Sequence, residues 1–354
     1  MPNLFEGLRG EEGVFSDETV LSPEFQPEVL PGRESELKEM ALLLKPLIEE
    51  RKAPAIMAFG PPGTGKTSCV KHVLKELKDY SSSVESVYVN CWTHSTRQSV
   101  LNALSHSLGL ALPRRGLASD EVFARVSEAV GKGDKKLLVA LDEVDRLFFV
   151  DNERVLYDLA RSLGDKVSLV LLTNDKTVFQ TLDARTKSSL SVSEVEFARY
   201  SPEALKRILS ERAARAFRKD ACGKEAVALC SAFASKHGGD ARVAIECLWV
   251  AGKQAEKRNA LSVGEGDCKK AFEQQEKLSA SKAKRLEGLS PIEQQVLEAL
   301  QGREMTSGEL YAKLPDHSER IVRTYVNLLE LKKLVELREK DDGRGKTRVI
   351  TPLV

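Results

Sequence analysis

The stretch that decides the fold is GPPGTGKT, residues 60–67, which follows an apolar run at 55–59 and precedes a stretch with helical periodicity. These flanks predict a buried strand before the loop and a helix after it. In such a loop the backbone amides face a polyphosphate, Lys66 reaches its terminal phosphates, and the Thr67 hydroxyl holds a magnesium ion. The alternative is a glycine-rich turn without a ligand. Such a turn does not require a strand before it and a helix after it. The predicted ligand contacts are Gly60, Pro61, Pro62, Gly63, Thr64, Gly65, Lys66, Thr67 and Ser68.

Composition limits the class of protein. The chain has 354 residues, 42% hydrophobic and 30% charged, which suits two or three domains. No apolar run is long enough to span a membrane and the N-terminus is unlike a signal peptide, so we expect a cytoplasmic protein without a membrane partner. The six cysteines form no CxxC pair and are predicted to be reduced core residues. With a formal net charge of +1, DNA contacts must come from local basic patches.

Short apolar runs alternate with helical stretches between residues 31 and 200. This alternation predicts an α/β nucleotide-binding domain with a parallel sheet covered by helices on both faces. Residues 1–30 predict an extended N-terminal arm, and 201–280 predict an all-helical lid domain. Residues 281–354 predict three short helices and a hairpin, which is a winged-helix DNA-binding domain. The runs predicted as strands are 55–59, 86–91, 136–141, 167–172 and 192–197.

Polar side chains follow two of the predicted strands. Asp142 and Glu143 end the strand at 136–141, where Asp142 is predicted to hold Mg²⁺ and Glu143 to orient and deprotonate the attacking water. Asn174 follows the next strand and is predicted to bond the γ-phosphate and the water, the alternative being an asparagine that only caps the following turn. This set indicates phosphoryl transfer to water.

Two arginines are candidates for neutralising phosphate charge. Arg185, in LDARTKSSL at 182–190, is predicted to face the nucleotide of a neighbouring subunit, where an arginine finger accelerates hydrolysis by about 10³ to 10⁵. Taken alone, an arginine there would be a solvated surface residue. Arg242 opens a predicted lid helix and is expected to close over the γ-phosphate of its own subunit.

Basic residues near the C-terminus predict a contact with DNA. In the helix that begins near Ser318, an apolar face leaves a polar stripe suited to a major groove. The hairpin tip adds a cationic wing suited to phosphates or a minor groove. A winged helix that binds protein, or a hairpin charged for solubility, are the alternatives. The apolar face is Ile321, Val322, Tyr325, Leu328 and Leu329, the stripe is Arg320, Arg323, Thr324 and Asn327, and the wing is Lys340, Arg344, Lys346 and Arg348.

The order of these motifs resembles the archaeal origin-recognition and cell-division-control type of replication initiator, an AAA+ ATPase. The resemblance runs from about Val14 to Ile350. It implies a weak ATPase that binds ATP or ADP with Mg²⁺, binds double-stranded origin DNA at the nucleoid, recruits or loads the minichromosome maintenance helicase, and acts with other initiator copies. The motifs are VLPGRE (29–34), GPPGTGKT, PRRGLAS (113–119), LDEVDRL (141–147), LTND (172–175), LDARTKSSL, GGDARVAIE (238–246) and GRGKTRVI (343–350).

The resemblance also implies contacts that spacing alone does not supply. The segment ending at Arg33 is expected to wrap the adenine, and Tyr200 and Arg212 are expected to contact the nucleotide, although Tyr200 could equally be a hinge packing residue. A second DNA element is implied at residues 97–117, where cations and an apolar wedge would widen a minor groove. Its contacts would be Arg97, Arg114, Arg115 and Leu117.

Two other classes of function fit part of the pattern. One is a different AAA+ DNA-remodelling motor, of the clamp-loader or transposition type, although clamp loaders end in a helical collar rather than a winged helix. The other is a nucleotide switch that regulates transcription through the winged helix. Glu143, Asn174 and Arg242 favour retained turnover, but a switch can keep all three.

Overall fold

The structure is a computed structural model that divides into two compact units, Met1–Phe272 and Glu273–Val354. No helix of the described part is long and apolar enough to cross a membrane. The residues described are 13–113, 116–150, 154–174, 176, 179, 182–286, 289–300, 302–314, 317–341 and 346–353.

A five-stranded parallel sheet forms the centre of the first unit, with strand order β2-β3-β4-β1-β5. Each of the predicted apolar runs forms one strand. Because β1, β4 and β3 are neighbours, their carboxyl ends bring the loop at 60–67, Asn174 and Asp142 to one edge of the sheet. The strands are β1 (Ala55–Phe59), β2 (Val84–Asn90), β3 (Lys136–Asp142), β4 (Val167–Thr173) and β5 (Val192–Glu196).

Helices cover both faces of this sheet, as the continuous burial of β4 requires. Alternate strand residues enter different cores: Val139 and Leu141 pack with Leu101 on one face, whereas Ile56 packs with Val70 on the other. These helices are α1 (Glu34–Ile48), α2 (Lys66–Tyr80), α3 (Arg97–Ser107), α4 (Ser119–Lys132), α5 (Asp145–Val150), α6 (Arg154–Tyr157) and α7 (Ala184–Leu190).

The lid forms a third core. Its first helix begins at an N-cap, Ser201, whose side chain accepts from Ala204 N, with Pro202 in the first turn. The described part of the N-terminal arm packs against this core through Val14, Val20 and Leu21. The helices of this region are α8 (Pro202–Ala216), α9 (Lys224–Lys236), α10 (Ala241–Lys257) and α11 (Glu265–Leu286).

The second unit has the winged-helix arrangement, with a small antiparallel sheet in the order β6-β8-β7. Thr306 and Glu309 form a capping box at the start of the second helix, as their spacing predicts. The two-residue strand β6 was not predicted, because so short a strand has no periodicity. The elements are α12 (Pro291–Leu300), β6 (Met305–Thr306), α13 (Ser307–Lys313), α14 (Glu319–Leu331), β7 (Val335–Asp341) and β8 (Lys346–Pro352).

The apolar face predicted for α14 needs correction. Ile321 and Leu328 are exposed, with relative accessibilities of 42% and 39%. The buried positions are Val322, Val326 and Leu329, which follow the i, i+4, i+7 spacing of a single helical stripe. The predicted face was therefore too wide.

Candidate nucleotide-binding site

Lys66 lies at the first position of α2, directly after the loop. Its ammonium donates to the carbonyls of Gly60 and Pro61, at 2.7 and 2.9 Å, and to Asn174 Oδ1 at 2.8 Å. Burial lowers the pKa of Lys66 to about 8; the Glu143 carboxylate opposes this shift and the Arg242 charge adds to it. Lys66 therefore loses its proton at a lower pH than an exposed lysine does.

The residues predicted to hold Mg²⁺ are in direct contact. Thr67 Oγ1 donates to Asp142 Oδ2 at 2.7 Å, and Asp142 is only 4% exposed. Hydroxyl and carboxylate oxygens are hard ligands of the kind that Mg²⁺ prefers, together with phosphate oxygens. Among the described residues, no group of three or more His, Cys, Asp or Glu side chains is arranged for a metal. The Thr67 hydroxyl and the Asp142 carboxylate fit a magnesium ion that phosphate oxygens also bind.

Tyr88 orients the Asp142 carboxylate, a role that the sequence analysis did not predict. Its hydroxyl donates to Asp142 Oδ2 at 2.6 Å from the adjacent strand β2. The Glu143 amide donates to the other oxygen, Asp142 Oδ1, at 2.9 Å. In the sequence, Tyr88 stands out only as the tyrosine of the predicted strand at 86–91. That pattern does not indicate which residue its hydroxyl contacts.

Asn174 connects the lysine to the predicted base. Its Nδ2 donates to Glu143 Oε2 at 3.0 Å, while its Oδ1 accepts from Lys66. Burial raises the pKa of Glu143. The charges of Asp145 and Asp142 raise this pKa further, whereas the hydrogen bond from Asn174 lowers it. Glu143 also has a left-handed backbone, with φ of 53°, a strained conformation that is common at active sites. The structure thus brings Lys66, Asn174 and Glu143 into one connected group.

The lid contacts the phosphate loop directly. A Cβ at Gly63, where φ is 73°, would lie 1.7 Å from Asp240 Oδ1, and one at Gly65, where φ is 86°, would lie 2.3 Å from the Tyr200 hydroxyl. Ala241 N donates to Gly63 O at 3.2 Å. Glycine is thus needed at both positions for backbone conformation and for close approach. Sequence reasoning gave Asp240 no role.

Arg242 stands at the start of α10, next to this contact. Its backbone amide donates to Asp240 Oδ1 at 2.7 Å, which caps the helix. Its side chain is exposed, and its charge contributes to the lowered pKa of Lys66. The predicted approach of Arg242 to the phosphates is compatible with this position and stays a prediction.

Arg33, at the end of the segment expected to wrap the adenine, contacts the phosphate loop, and its predicted nucleotide contact stays a prediction. Its side chain is buried and its Nε donates to the carbonyl of Thr64 in the loop at 2.7 Å. Other nitrogens donate to Ala198 O and pair with Glu36 Oε1 at 2.7 Å. The guanidinium lies 3.9 Å from the centre of the Tyr200 ring. Arg33 therefore supports the loop.

Arg212 and the N-terminal arm meet near the start of α2. The Arg212 guanidinium donates to the carbonyls of Val20 and Phe25 and lies 4.5 Å from the Phe25 ring centre. Burial lowers the pKa of Arg212 to about 10. Gln26 Nε2 donates to Ser68 O at 2.8 Å. The predicted nucleotide contact of Arg212 stays a prediction.

The prediction that Arg97 contacts DNA is wrong for this structure. Arg97 is 5% exposed, and its Nε and Nη1 pair with Asp158 at 2.6 Å and Asp120 at 2.8 Å. A guanidinium held in this way cannot reach a groove. Leu117 is half-buried against the core of the sheet. Arg114 and Arg115 lie outside the described residues.

The remaining predicted cations lie at surfaces. Arg185 is exposed in the first turn of α7, whose N-cap Asp183 accepts from Thr186 N at 2.7 Å. In the second unit, Arg348 Nη1 donates to Asn327 Oδ1 at 3.1 Å. The exposed members of the predicted DNA surface are Arg320, Arg323, Thr324, Asn327, Lys340 and Arg348, whereas Arg344 and the Lys346 side chain are outside the described part.

Comparisons with known proteins identify the family of both domains of the first unit. Residues 49–182 match the family model of the AAA domain, and residues 206–273 match that of the Cdc6 AAA+ ATPase-type lid domain. The ORC1-type DNA replication protein of Pyrococcus horikoshii is 33% identical over 309 residues, which cover 84% of this chain and 73% of the relative. The relative of the same type from Methanosphaera stadtmanae is 31% identical across 99% of this chain and 96% of its own.

The fold comparison extends over almost the whole chain. The Aeropyrum pernix ORC1 protein, solved in complex with DNA, matches with a TM-score of 0.71 and 31% identity, over 97% of this chain and 94% of the other. These matches confirm the family that the motifs predicted. The chain belongs to the family of ORC1-type DNA replication proteins, AAA+ ATPases with a Cdc6-type lid domain.

Proposed function

We propose that this protein is an ATP-dependent replication initiator that binds double-stranded origin DNA and recruits or loads the replicative minichromosome maintenance helicase. One observation carries the ATP-dependent part of the proposal: Lys66, Asn174 and Glu143 are linked beside the Thr67–Asp142 pair. A separate winged-helix unit supplies a surface for DNA. The match to an ORC1 protein solved with DNA supports the same assignment.

The side chains divide the ATPase reaction between them. The backbone N–H groups of residues 63–67 and the Lys66 ammonium bind the phosphates, and Thr67 with Asp142 would hold Mg²⁺, which neutralises phosphate charge when bound. Glu143 accepts the proton of the attacking water. Asn174, which already bonds Glu143, keeps that carboxylate and the water in line. Arg242 would contact the γ-phosphate from the lid.

Hydrolysis is expected to be slow in a single chain, because Arg185 acts on the nucleotide of a neighbour. The specific rate of the wild type should therefore rise with protein concentration, and that of Arg185→Ala should not. Lys187→Ala, an exposed cation on the same helix, is the matched control and should behave as wild type. A fast monomer whose rate is unaffected by Arg185→Ala would contradict the role.

The winged helix is expected to bind DNA through α14 and β8. Arg320 and Arg323 are exposed on α14, and Arg348 is held beside Asn327 on the same surface. Replacing one arginine that contacts a phosphate lowers the slope of log affinity against log salt by about 1. Arg320→Ala should show that change, whereas Lys132→Ala, a cation of the first unit paired with Glu128, should not.

Genome-wide mapping of the bound protein tests the function most broadly. A replication initiator should occupy replication origins, and the occupancy should depend on Lys66 and Arg320. Occupancy of promoters instead would favour the transcription switch. A DNA-remodelling motor of another type would show no preference for origins.

A further inference from the structure

Arg33 joins three segments of the first unit that are distant in sequence. Its Nε donates to Thr64 O in the phosphate loop at 2.7 Å, and its Nη2 donates to Ala198 O. Its plane lies over the Tyr200 ring, 3.9 Å from the ring centre. We call Arg33, Thr64, Ala198 and Tyr200 the Arg33 clasp. Arg33, Thr64 and Tyr200 are buried, whereas Ala198 is exposed. The hydrogen bond from Arg33 to Thr64 O is therefore not replaced by water without cost.

The Arg33 clasp lies where the chain passes from the sheet to the lid. Phe197 belongs to a core of the sheet, and its amide donates to Phe59 O on β1 at 2.8 Å. Tyr200 belongs to the lid core. Ala198, which Arg33 holds, lies between these two residues. We call residues 198–200 the sheet-to-lid crossing. A rotation of the lid about this crossing would change the contacts that Arg33 makes with Ala198 and Tyr200.

The same crossing is bonded to the loop that starts α10. Tyr200 N donates to Gly239 O at 3.4 Å, and the Arg199 guanidinium donates to Gly238 O. That loop leads into Asp240 and Arg242. The path from the phosphate loop to Arg242 therefore runs through Arg33 and the 198–200 crossing, as well as through the direct contact of Ala241 N with Gly63 O.

We propose that Arg33 is a positioning residue: by tying the phosphate loop to the sheet-to-lid crossing, it sets the position of Arg242 relative to the bound nucleotide. The inference deepens the proposed ATPase function and rests on it. A planar guanidinium donates in several fixed directions at once, whereas the ammonium of lysine is a point charge. Lysine at position 33 can pair with Glu36 but cannot span Thr64 and Ala198 together.

A double-mutant cycle between Arg33 and Arg242 tests the proposal in the full chain. Single-turnover hydrolysis of Mg·ATP and the dissociation constant for ADP are measured for wild type, Arg33→Lys, Arg242→Ala and the double variant. Displacing a catalytic group by about 1 Å costs about 100-fold in rate, so Arg33→Lys should lower the rate by about 10- to 100-fold. The dissociation constant for ADP should change far less than the rate. In the Arg242→Ala background, Arg33→Lys should have almost no further effect, because coupled residues are not additive.

Controls separate this coupling from loss of the fold. Arg207→Ala, an exposed arginine on α8 that pairs with Glu34, should match wild type. If Arg33→Lys does not fold, Arg33→Gln combined with Glu36→Gln removes both charges of the buried pair and enters the same cycle. Multiplicative rate losses in the double variant, or an unchanged rate in Arg33→Lys, would overturn the inference while leaving the ATPase assignment intact. A wild type that does not bind ADP would overturn that assignment and this inference with it.

Discussion

The affinity for ADP should fall as the pH rises through about 8, because Lys66 loses its proton there. Burial destabilises the charged ammonium and so lowers its pKa. Phosphate oxygens favour the charged form, so only the protonated lysine binds them well. Phosphate monoesters finish ionising near pH 6, so the nucleotide keeps its charge across this range.

The size of the effect follows from the pKa of about 8 for Lys66. If only the charged form binds, the apparent dissociation constant is multiplied by one plus the ratio of neutral to charged lysine. This factor is about 1.1 at pH 7, about 2 at pH 8 and about 11 at pH 9. Binding at pH 8 should take up about half a proton. Calorimetry in two buffers with different ionisation enthalpies measures both quantities.

A matched pair of variants identifies the group responsible. Arg242→Gln removes a positive charge that lowers the pKa of Lys66, so the loss of affinity should move to higher pH. Arg207→Gln should leave the curve unchanged. Affinity that stays constant from pH 7 to 9 without proton uptake, in a folded protein, would refute the reasoning.

Further predictions concern residues that the structure connects to the site or removes from the DNA surface. Asp145→Asn removes a charge that raises the pKa of Glu143, so the acid limb of the pH–rate profile should move to lower pH; an unmoved limb would exclude this coupling. Tyr88→Phe removes a hydrogen bond to Asp142 and should raise the Mg²⁺ concentration for half-maximal hydrolysis by about tenfold, and an unchanged requirement would exclude that role. Arg97→Ala leaves a buried carboxylate without its arginine and should lower the free energy of unfolding by about 3 kcal/mol in urea denaturation, with DNA affinity unchanged. If Arg97→Ala weakened DNA binding without lowering the free energy of unfolding, Arg97 would belong to the DNA-binding surface.

The sheet and the phosphate site followed from local patterns. Strands buried on both faces give continuous apolar runs, and this is why 136–141 and 167–172 identified β3 and β4. The glycine loop, Asp142 and Asn174 each follow a strand. Parallel strands end at the same edge, so their convergence could be expected before any distance was known.

Contacts between distant segments could not be predicted in this way. Arg97 occupies an ordinary helix N-terminus, and nothing nearby shows that its partner is Asp158, in a π-helical turn after α6. The contact of Asp240 with Gly63 likewise depends on how the lid packs on the loop. Long-range pairs of this kind have no periodicity to read. Local patterns therefore located the site, whereas the packing determined how its residues are held.

Calorimetric titration of the full chain with Mg·ADP tests the central claim most directly, namely that the loop between β1 and α2 is a nucleotide site. We predict one site per chain, lost in Lys66→Ala and retained in Arg207→Ala. Binding that survives Lys66→Ala, or a folded wild type that binds no ADP, would contradict the account.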